Sequence, residues 1–423
     1  MAEEKDLSKD RNAVQLKFGH TNLPTGVPGL FYDFRMGARV KVPDNSKWFV
    51  KITDTLTDTV VVNGWVENGA TVVTPVVTYT PWRIEVYNES QKPVFIHDFN
   101  VEGKNVVIEP GSRLLGDNIA WVPYALEFKK RYKPNKVTFL APGHLIEMFK
   151  RSYPEIEFGL GSTDHPADTY ASFYPAQPFP STEKKFLPQC WKYNNLQYGG
   201  AGPLGLNPFK EIQPKLIPEK NERLIKEPYV VIASMGSAEC KIWTHPTGWL
   251  KTIEFLKSVG YRVICIDRDK VVGTPNHYHY VPFGAEDCTG NIPLDERLNM
   301  LMHAEFFIGM SSGLSWLSWA ADCPTVMISG FSLPYYEYRN PYRITNTYFC
   351  NGCFNNDEKD FEHSRFDWCP RHQDDDKMRF ECMRNITPTH VINTVRQLMR
   401  DFNLDPKAGK TRKIGFQEII DRY

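Results

Sequence analysis

The chain has 423 residues, more than a single hydrophobic core usually organises, so we expect two or three domains. Its apolar fraction of 41% and charged fraction of 24% are typical of a soluble globular protein. Lys plus Arg and Asp plus Glu both number 50, and this balance argues against a non-specific nucleic-acid binder, which needs a basic surface. The sequence has no apolar run long enough to span a bilayer and no signal-peptide pattern, so we expect a cytoplasmic protein without membrane insertion.

Residues 1–28 are predicted to be flexible, and residues 29–105 to form an all-β accessory domain, either a barrel or a sandwich. Short segments rich in Val, Thr and aromatic residues are separated there by turn residues, and no helical period is visible. Strands are predicted at residues 39–42, 48–52, 60–66, 71–79 and 82–87.

From residue 106 onwards the pattern changes to alternating strands and helices, which predicts parallel sheets with crossover connections. The first series occupies residues 106–228, with strands at 106–108 and 136–140 and helices at 118–132 and 145–152. Its proline-rich last part, residues 170–228, is interpreted as an interdomain connection.

The second series occupies residues 229–423. Strands are predicted at 229–234, 262–266, 306–309 and 325–328, and helices at 247–259, 295–304, 314–321 and 387–403. Two such series predict an α/β protein with two Rossmann-like halves facing a cleft, and ligands bind at the C-terminal ends of strands in such folds.

Four of the nine cysteines lie within residues 349–383, and their spacing is that of a metal site. A Cys-x-x-Cys knuckle presents two thiolates to one ion, and two more cysteines complete a tetrahedron that selects zinc or iron. The surrounding segment is polar and has little to form its own core, so a metal would explain its order. Four unrelated free thiols are the alternative, and His372 is a rival ligand. The four cysteines are Cys350, Cys353, Cys369 and Cys382.

Three further signals are weaker. Small residues at 309–313 lie between a strand and a helix, where backbone N–H groups can bind a phosphate, although such a turn is common. Lys241 follows the strand at 229–234 and could pair with a diphosphate, although most lysines are solvated surface residues. Asp117 stands at a helix start, where an N-cap is the ordinary role and a general base is the functional one.

These signals occur in an order that resembles the bacterial autotransporter heptosyltransferases, relatives of the lipopolysaccharide heptosyltransferases with the GT-B fold. The resemblance covers about residues 31–403. It is carried by LLGDNIAWVPY from residue 114, CKIWTHPTGW from residue 240, PFGAEDCTG from residue 282, GMSSGLSWLSWA from residue 309 and the four cysteines.

The resemblance implies an activity and its partners. The enzyme would move heptose from ADP-heptose to serine hydroxyls of an autotransporter passenger protein, and it would form a homo-oligomer. The four cysteines would bind one structural iron ion, with Fe³⁺ favoured and Zn²⁺ possible from spacing alone. No organic cofactor is implied.

The resemblance also implies roles for single residues. Asp117 would be the general base, and Lys241 with Ser237 would bind the donor phosphates. Glu286 would bind the ribose. The lipopolysaccharide enzymes carry an acidic residue and a His where Ser311 and Trp316 stand here, so the contacts to heptose need not follow theirs. The phosphate-binding turn would be formed by Ser311, Ser312 and Gly313.

Two other classes of protein remain as alternatives. A redox protein could use a four-thiolate iron on a nucleotide-binding scaffold, but neither first strand-to-helix turn carries the G-x-G-x-x-G pattern of dinucleotide sites. A non-catalytic sugar-nucleotide binder is compatible with the aromatic content. Turnover of ADP-heptose would separate both from a transferase.

Overall fold

The computed structural model describes residues 21–74, 78–161, 165–175, 192–275, 277–359, 361–362, 364–375 and 377–423. The chain forms two compact units that alternate along the sequence. The predicted boundaries at 105 and 228 are not followed, because the β-rich region packs with the first parallel sheet into one unit. The first unit comprises Met1–Arg113, Tyr124–Pro180 and Tyr198–Lys210, and the second comprises Leu114–Pro123, Ser181–Gln197 and Glu211–Tyr423.

The predicted β-rich region is present in the first unit. Its described strands pair antiparallel in two sheets, ordered β1-β2-β3-β6 and β5-β4-β7-β8. In β7 the side chains of Trp82, Ile84 and Val86 are buried and alternate with more exposed ones, as expected for a strand with one face on a core. The strands are β1 Leu23–Pro24, β2 Phe31–Asp33, β3 Arg39–Lys41, β4 Trp48–Asp54, β5 Thr59–Val66, β6 Thr71–Val73, β7 Trp82–Tyr87 and β8 Pro93–Asp98.

The strand expected over 71–79 ends at Val73, and residues 75–77 lie outside the described part of the chain. A buried ion pair supports β2 and β3: the guanidinium of Arg39 lies 2.6 and 2.7 Å from the two carboxylate oxygens of Asp33. Beyond β2, Phe34 pairs with Ala171, and this bridge joins the β-rich region to the first parallel sheet.

The first parallel sheet has the strand order β11-β10-β9-β12. Two of its strands were not predicted. The expected connection over 170–228 begins inside β12, whose five residues are all buried, because this strand fills the sheet position beside β9. The elements are β9 Asn105–Ile108, α1 Leu115–Tyr132, β10 Lys136–Ala141, α2 Gly143–Ser152, β11 Glu157–Leu160, β12 Thr169–Phe173 and α3 Leu196–Ala201.

The second unit contains a parallel sheet in the order β17-β14-β13-β18-β19-β20. Counted from β13, this is the doubly wound order 3-2-1-4-5-6, and β15 and β16 form an antiparallel hairpin apart from it. Its elements are β13 Tyr229–Ile232, α4 Gly248–Val259, β14 Arg262–Cys265, β15 Val271–Thr274, β16 His277–Tyr280, β17 Glu286–Asp287, α5 Leu294–His303, β18 Phe307–Met310, α6 Gly313–Ala320, β19 Thr325–Ile328 and β20 Arg343–Ile344.

The chain forms further elements after the helix expected over 387–403. After the cysteine-rich segment come α7 Glu381–Arg384 and α8 Pro388–Asp401, and then α9 Phe416–Ile420, which packs back onto the second unit. The backbone N–H of Arg412 donates to the carboxylate of Glu305 at 2.6 Å. Within the described ranges, no helix has the length and apolarity that crossing a membrane requires.

Candidate active site and metal finger

The strand order of the second unit marks where a ligand can bind. The strand order reverses between the parallel neighbours β13 and β18, and in open parallel sheets the loops that follow such strands leave a crevice at their C-terminal ends. The loop after β13 carries Ser237 and Lys241, and the turn after β18 carries Ser311, Ser312 and Gly313. The structure therefore brings two of the separately predicted segments to adjacent positions.

The loop after β13 is held by a buried carboxylate that sequence reasoning missed. Asp267, just after β14, accepts hydrogen bonds from the backbone N–H of Ser234 at 2.7 Å and of Met235 at 3.3 Å. Burial raises the pKa of Asp267, and the hydrogen bonds from Ser234 oppose that rise. The loop then folds back so tightly that a Cβ on Gly236 would lie 3.1 Å from Cβ of Lys241.

The ammonium group of Lys241 is held by neighbours of three kinds. Its Nζ lies 3.4 Å from Oγ of Ser237, and 5.1 and 5.3 Å from the ring centroids of Phe331 and Phe361. Burial lowers the pKa of Lys241, while the charges of Asp117 and other acidic groups act to raise it. A cation in such surroundings is poorly solvated and gains much from an anionic ligand.

The turn after β18 presents the start of helix α6. Ser312 is its N-cap, with extended backbone angles and no capping hydrogen bond from its own side chain. Its carbonyl accepts the N–H groups of Ser315 and Trp316. The first N–H groups of a helix have no partner within the helix, so those around Gly313 are suited to bind an anion.

The start of α1 meets the start of α6 through two glycines. A Cβ on Gly116 would lie 3.3 Å from Cα of Gly313, and a Cβ on Gly313 would lie 3.0 Å from Cβ of Leu115. Both backbones approach this closely because neither glycine has a side chain. Leu114 and the first nine residues of α1 accordingly group with the second unit.

This contact sets the position of Asp117, the residue that follows Gly116 in α1. The carboxylate acts on the pKa of both Lys241 and Tyr336. The helix begins at Leu115, so Asp117 is its third residue and does not hold the N-cap position considered from the sequence. An acidic residue in the first turn still interacts favourably with the helix dipole.

A buried network behind Ser311 was also missed. The hydroxyls of Ser311 and Ser332 both donate to Oε1 of Glu337, and Nη2 of Arg343 lies 3.2 Å from Oε2. Burial lowers the pKa of Arg343, and the charge of Glu337 opposes this. The sequence signal was that Ser311 stands where the lipopolysaccharide enzymes carry an acidic residue. In the structure, the carboxylate beside Ser311 is that of Glu337, 26 positions further along the chain.

Glu286 has a partner of its own. The Nε and Nη2 atoms of Arg262 lie 2.9 and 2.6 Å from its two carboxylate oxygens, and this hydrogen bonding lowers the pKa of Glu286. Arg262 is the first residue of β14, so the pair extends away from the C-terminal end of that strand. Ribose binding by Glu286 stays a prediction.

The finger, residues 349–383, carries the four predicted cysteines, of which Cys369 and Cys382 are buried and Cys350 and Cys353 are partly buried. Cys382 interacts electrostatically with Cys350, Cys353 and Cys369, and its hydrogen bond with Cys350 raises the pKa of Cys382. Burial raises the pKa of Cys353 to about 12. All four are free thiols. Thiolates are the ligands that a soft metal cation prefers, but among the described residues the one set of three ligand atoms within 4.8 Å of one another is that of Cys350, His372 and Glu381.

A second set of possible ligands lies at the edge of the finger. Ligand atoms of Cys350, His372 and Glu381 lie within 4.8 Å of one another, and Nε2 of His372 is 3.0 Å from Oε1 of Glu381. His372 therefore remains a structurally reasonable rival ligand, as the sequence indicated. Glu381 adds a carboxylate that the sequence analysis did not single out.

Comparison with known proteins of similar sequence identifies the class of enzyme. The family model for the N-terminal domain of glycosyltransferase TibC matches residues 26–90. The autotransporter heptosyltransferase TibC of Escherichia coli O78:H11 (strain H10407 / ETEC) is 35% identical over 400 residues, which is 93% of this chain and 96% of TibC. BAHTCr of Citrobacter rodentium, also named a heptosyltransferase, is 35% identical over 384 residues, 89% of this chain and 91% of BAHTCr. BimC of Burkholderia thailandensis, named an inactive autotransporter heptosyltransferase, is 31% identical over 380 residues, 89% of this chain and 88% of BimC.

Solved structures agree with the sequences. The crystal structure of the iron-containing dodecameric glycosyltransferase TibC matches with a TM-score of 0.84 and 35% identity, over 90% of this chain and 99% of TibC. The complex of TibC with ADP-D-beta-D-heptose matches with the same values. The predicted fold is thereby confirmed, and the protein is a glycosyltransferase. The chain belongs to the autotransporter heptosyltransferase family.

The glycine contact predicts the effect of one methyl group. Gly313→Ala would place Cβ 3.0 Å from Leu115 and 3.2 Å from the backbone nitrogen of Gly116, so the two helix starts must move apart. We expect a loss of about 1–3 kcal/mol in the free energy of unfolding, as for other overpacked sites, together with weaker ADP binding. Chemical denaturation and calorimetry measure the two effects. Gly64→Ala, at a glycine of β5 with no atom within 4 Å of an added Cβ, separates this contact from a general effect of adding a methyl group; equal behaviour of both variants would contradict the prediction.

Proposed function

We propose that this protein transfers heptose from ADP-heptose to serine hydroxyls of an autotransporter passenger protein. The observation that supports this most directly is the close approach of the start of α1, which carries Asp117, to the start of α6. Lys241 lies in the loop after β13, the strand beside β18. The complex of TibC with ADP-D-beta-D-heptose supports the choice of donor. The family name alone supports the choice of acceptor.

The proposed reaction forms a bond between the serine oxygen and the anomeric carbon while the bond from that carbon to ADP breaks. Negative charge then grows on the diphosphate. Lys241 and the N–H groups around Ser312 and Gly313 stabilise that charge, with Ser237 as a further donor to phosphate. Because Lys241 is partly desolvated before the donor binds, its attraction to the diphosphate is strengthened.

Asp117 is proposed as the general base. A serine hydroxyl is a weak nucleophile until a carboxylate takes its proton, and Asp is normally ionised near neutral pH. Glu337 is a poorer candidate for this role, because its side chain is 1% exposed and already accepts two serine hydroxyls. We infer that Glu337 holds Ser311 in the phosphate-binding turn and that Glu286 contacts the ribose of the donor.

We further propose one iron ion bound by Cys350, Cys353, Cys369 and Cys382, with a structural role. The iron-containing structure of TibC supports iron over zinc. When bound, the metal supplies charge neutralisation for four thiolates and folding energy for the finger. The dodecameric state of TibC likewise supports a homo-oligomer, and we place the protein in the cytoplasm.

Transfer itself is tested by the intact mass of a co-expressed autotransporter passenger. We expect mass increments of one heptose with the wild-type chain and almost none with Asp117→Asn, because losing a general base costs about 10²–10⁴ in rate. The direct measurement matters because one relative, BimC, is named inactive. The variant should fold and bind ADP normally. Near wild-type transfer by Asp117→Asn would remove Asp117 from the chemistry, and an unmodified passenger with the wild-type chain would overturn the proposed function.

Lys241→Ala is expected to damage use of the donor. A charge-assisted contact contributes about 1.5–3 kcal/mol, so ADP affinity should fall about 10- to 100-fold. As the pH rises, Lys241 loses its proton and with it the charge that attracts ADP. Because burial lowers the pKa of Lys241, ADP affinity of the wild-type chain should decline at a lower pH than it would with an ordinary lysine. Calorimetry over a pH series checks both effects, and Lys241→Arg should abolish the decline. Unchanged ADP affinity in Lys241→Ala would return Lys241 to a surface role.

The metal is tested by elemental analysis of the purified protein. We expect about one iron per chain and the colour of a ferric thiolate, whereas zinc would leave the protein colourless. Cys369→Ser should lose the metal and lower the melting temperature, because a structural site contributes folding energy. Cys288→Ser, at a cysteine outside the finger, is the matched control. Protein without stoichiometric metal would contradict the assignment.

A further inference from the structure

The finger contacts the 3₁₀ turn Glu239–Lys241, which carries the lysine proposed to bind the phosphates of the sugar donor. The backbone N–H of Glu239 donates to the carbonyl of Phe366 in the finger at 2.9 Å. Cys240 is buried in one cluster with Trp368 and Cys369. Lys241 then places its ammonium group over the ring of Phe361. Three successive residues of the turn therefore each contact the finger.

The second wall around the ammonium group comes from the segment after β19. Phe331 lies in that segment, and its ring packs against that of Phe361 at 5.3 Å with an interplanar angle of 69°. The Nζ atom of Lys241 is 5.1 Å from the centroid of one ring and 5.3 Å from the other. Ring faces at these distances attract a cation, and the ammonium group is farther from them than it would be from a hydrogen-bond acceptor.

The finger also supports Phe331. The backbone N–H of Phe354, in the finger, donates to the carbonyl of Phe331 at 3.1 Å, and that of Gly352 donates to Gly330 at 2.8 Å. A Cβ on Gly330 would lie 2.8 Å from Cβ of Cys382, so this segment rests directly on a predicted metal ligand. Both aromatic walls thus depend on the folded finger.

We propose that Phe361 is a positioning residue for donor binding, and that the metal finger acts on the reaction through the two-ring cage of Phe331 and Phe361 around Lys241. This inference rests on the proposed role of Lys241 at the donor phosphates. Aromatic faces restrain the ammonium group without neutralising it, so its charge stays available to a diphosphate. A carboxylate in the same place would compete with the phosphate.

The cage of Phe331 and Phe361 restricts the conformations that the Lys241 side chain can adopt before the donor binds. A lysine side chain has many rotamers, and ordering it on binding costs affinity. An ammonium group already held between two rings has lost most of that freedom before the donor arrives. Removing one ring should therefore weaken ligands that carry phosphate and leave ligands without phosphate unaffected.

The test uses the full-length, metal-loaded protein and calorimetry with ADP and with adenosine. Phe361→Leu removes the ring face and keeps an apolar side chain; we expect ADP affinity to fall about 3- to 20-fold, as for loss of a cation–π contact, and adenosine affinity to stay unchanged. Phe361→Tyr should retain wild-type affinity for both ligands. Phe366→Leu is the matched control, because Phe366 contacts the turn through its backbone carbonyl.

The metal content of each variant decides whether the finger remains folded, and Phe361→Met serves as a second variant if Phe361→Leu loses its metal. In the Lys241→Ala background, Phe361→Leu should have no further effect on ADP affinity. Equal weakening of ADP and adenosine would overturn the proposal by making Phe361 a general structural residue. If Phe361→Leu kept wild-type ADP affinity while Lys241→Ala lost affinity, the proposed cage would be overturned and the role of the lysine would stand. If Lys241→Ala itself kept wild-type ADP affinity, the proposed role of the lysine would be overturned.

Discussion

The approach of Gly116 to Gly313 is the contact on which the candidate site depends. It lets the starts of α1 and α6 meet at backbone distance. Each helix start carries partial positive charge, so two of them in contact repel unless negative groups lie nearby. Asp117, in the first turn of α1, supplies one such group, and the diphosphate of the proposed donor would supply another. The same two glycines therefore set the position of the proposed base, Asp117, and favour binding of an anion.

The charged residues near this contact include a pair, Arg343 and Glu337, that is buried in the second unit. The charge of Asp117 acts on Lys241, while Arg343 and Glu337 form a buried pair behind Ser311. Buried charges are stable only when paired and hydrogen-bonded, and Glu337 meets this condition through Ser311, Ser332 and Arg343. The buried pair can hold the phosphate-binding turn, and Lys241 keeps its charge for a ligand.

Much of the fold could be predicted from the sequence. The helix expected at 247–259 is observed as Gly248–Val259, and the strand expected at 325–328 as Thr325–Ile328, because their periodicity and bounding turn residues are local features. β12 was missed because its sequence, TYASF, has no alternation: all five residues are buried between neighbours distant in sequence. The four cysteines and the candidate residues of the motifs were found from spacing and resemblance.

The sequence by itself determined most of the element order, the β-rich region, the cysteine-rich segment and the resemblance to a heptosyltransferase family, since local patterns carry all of these. Only the tertiary structure decided that Asp117 lies in the first turn of its helix, that Glu337 supplies the acidic group beside Ser311, and that Phe361 covers Lys241. Lys241 and Phe361 are 120 positions apart, and no local propensity links them. Their contact exists because the finger and the sheet share one core, and which side chains meet across a core is fixed by packing.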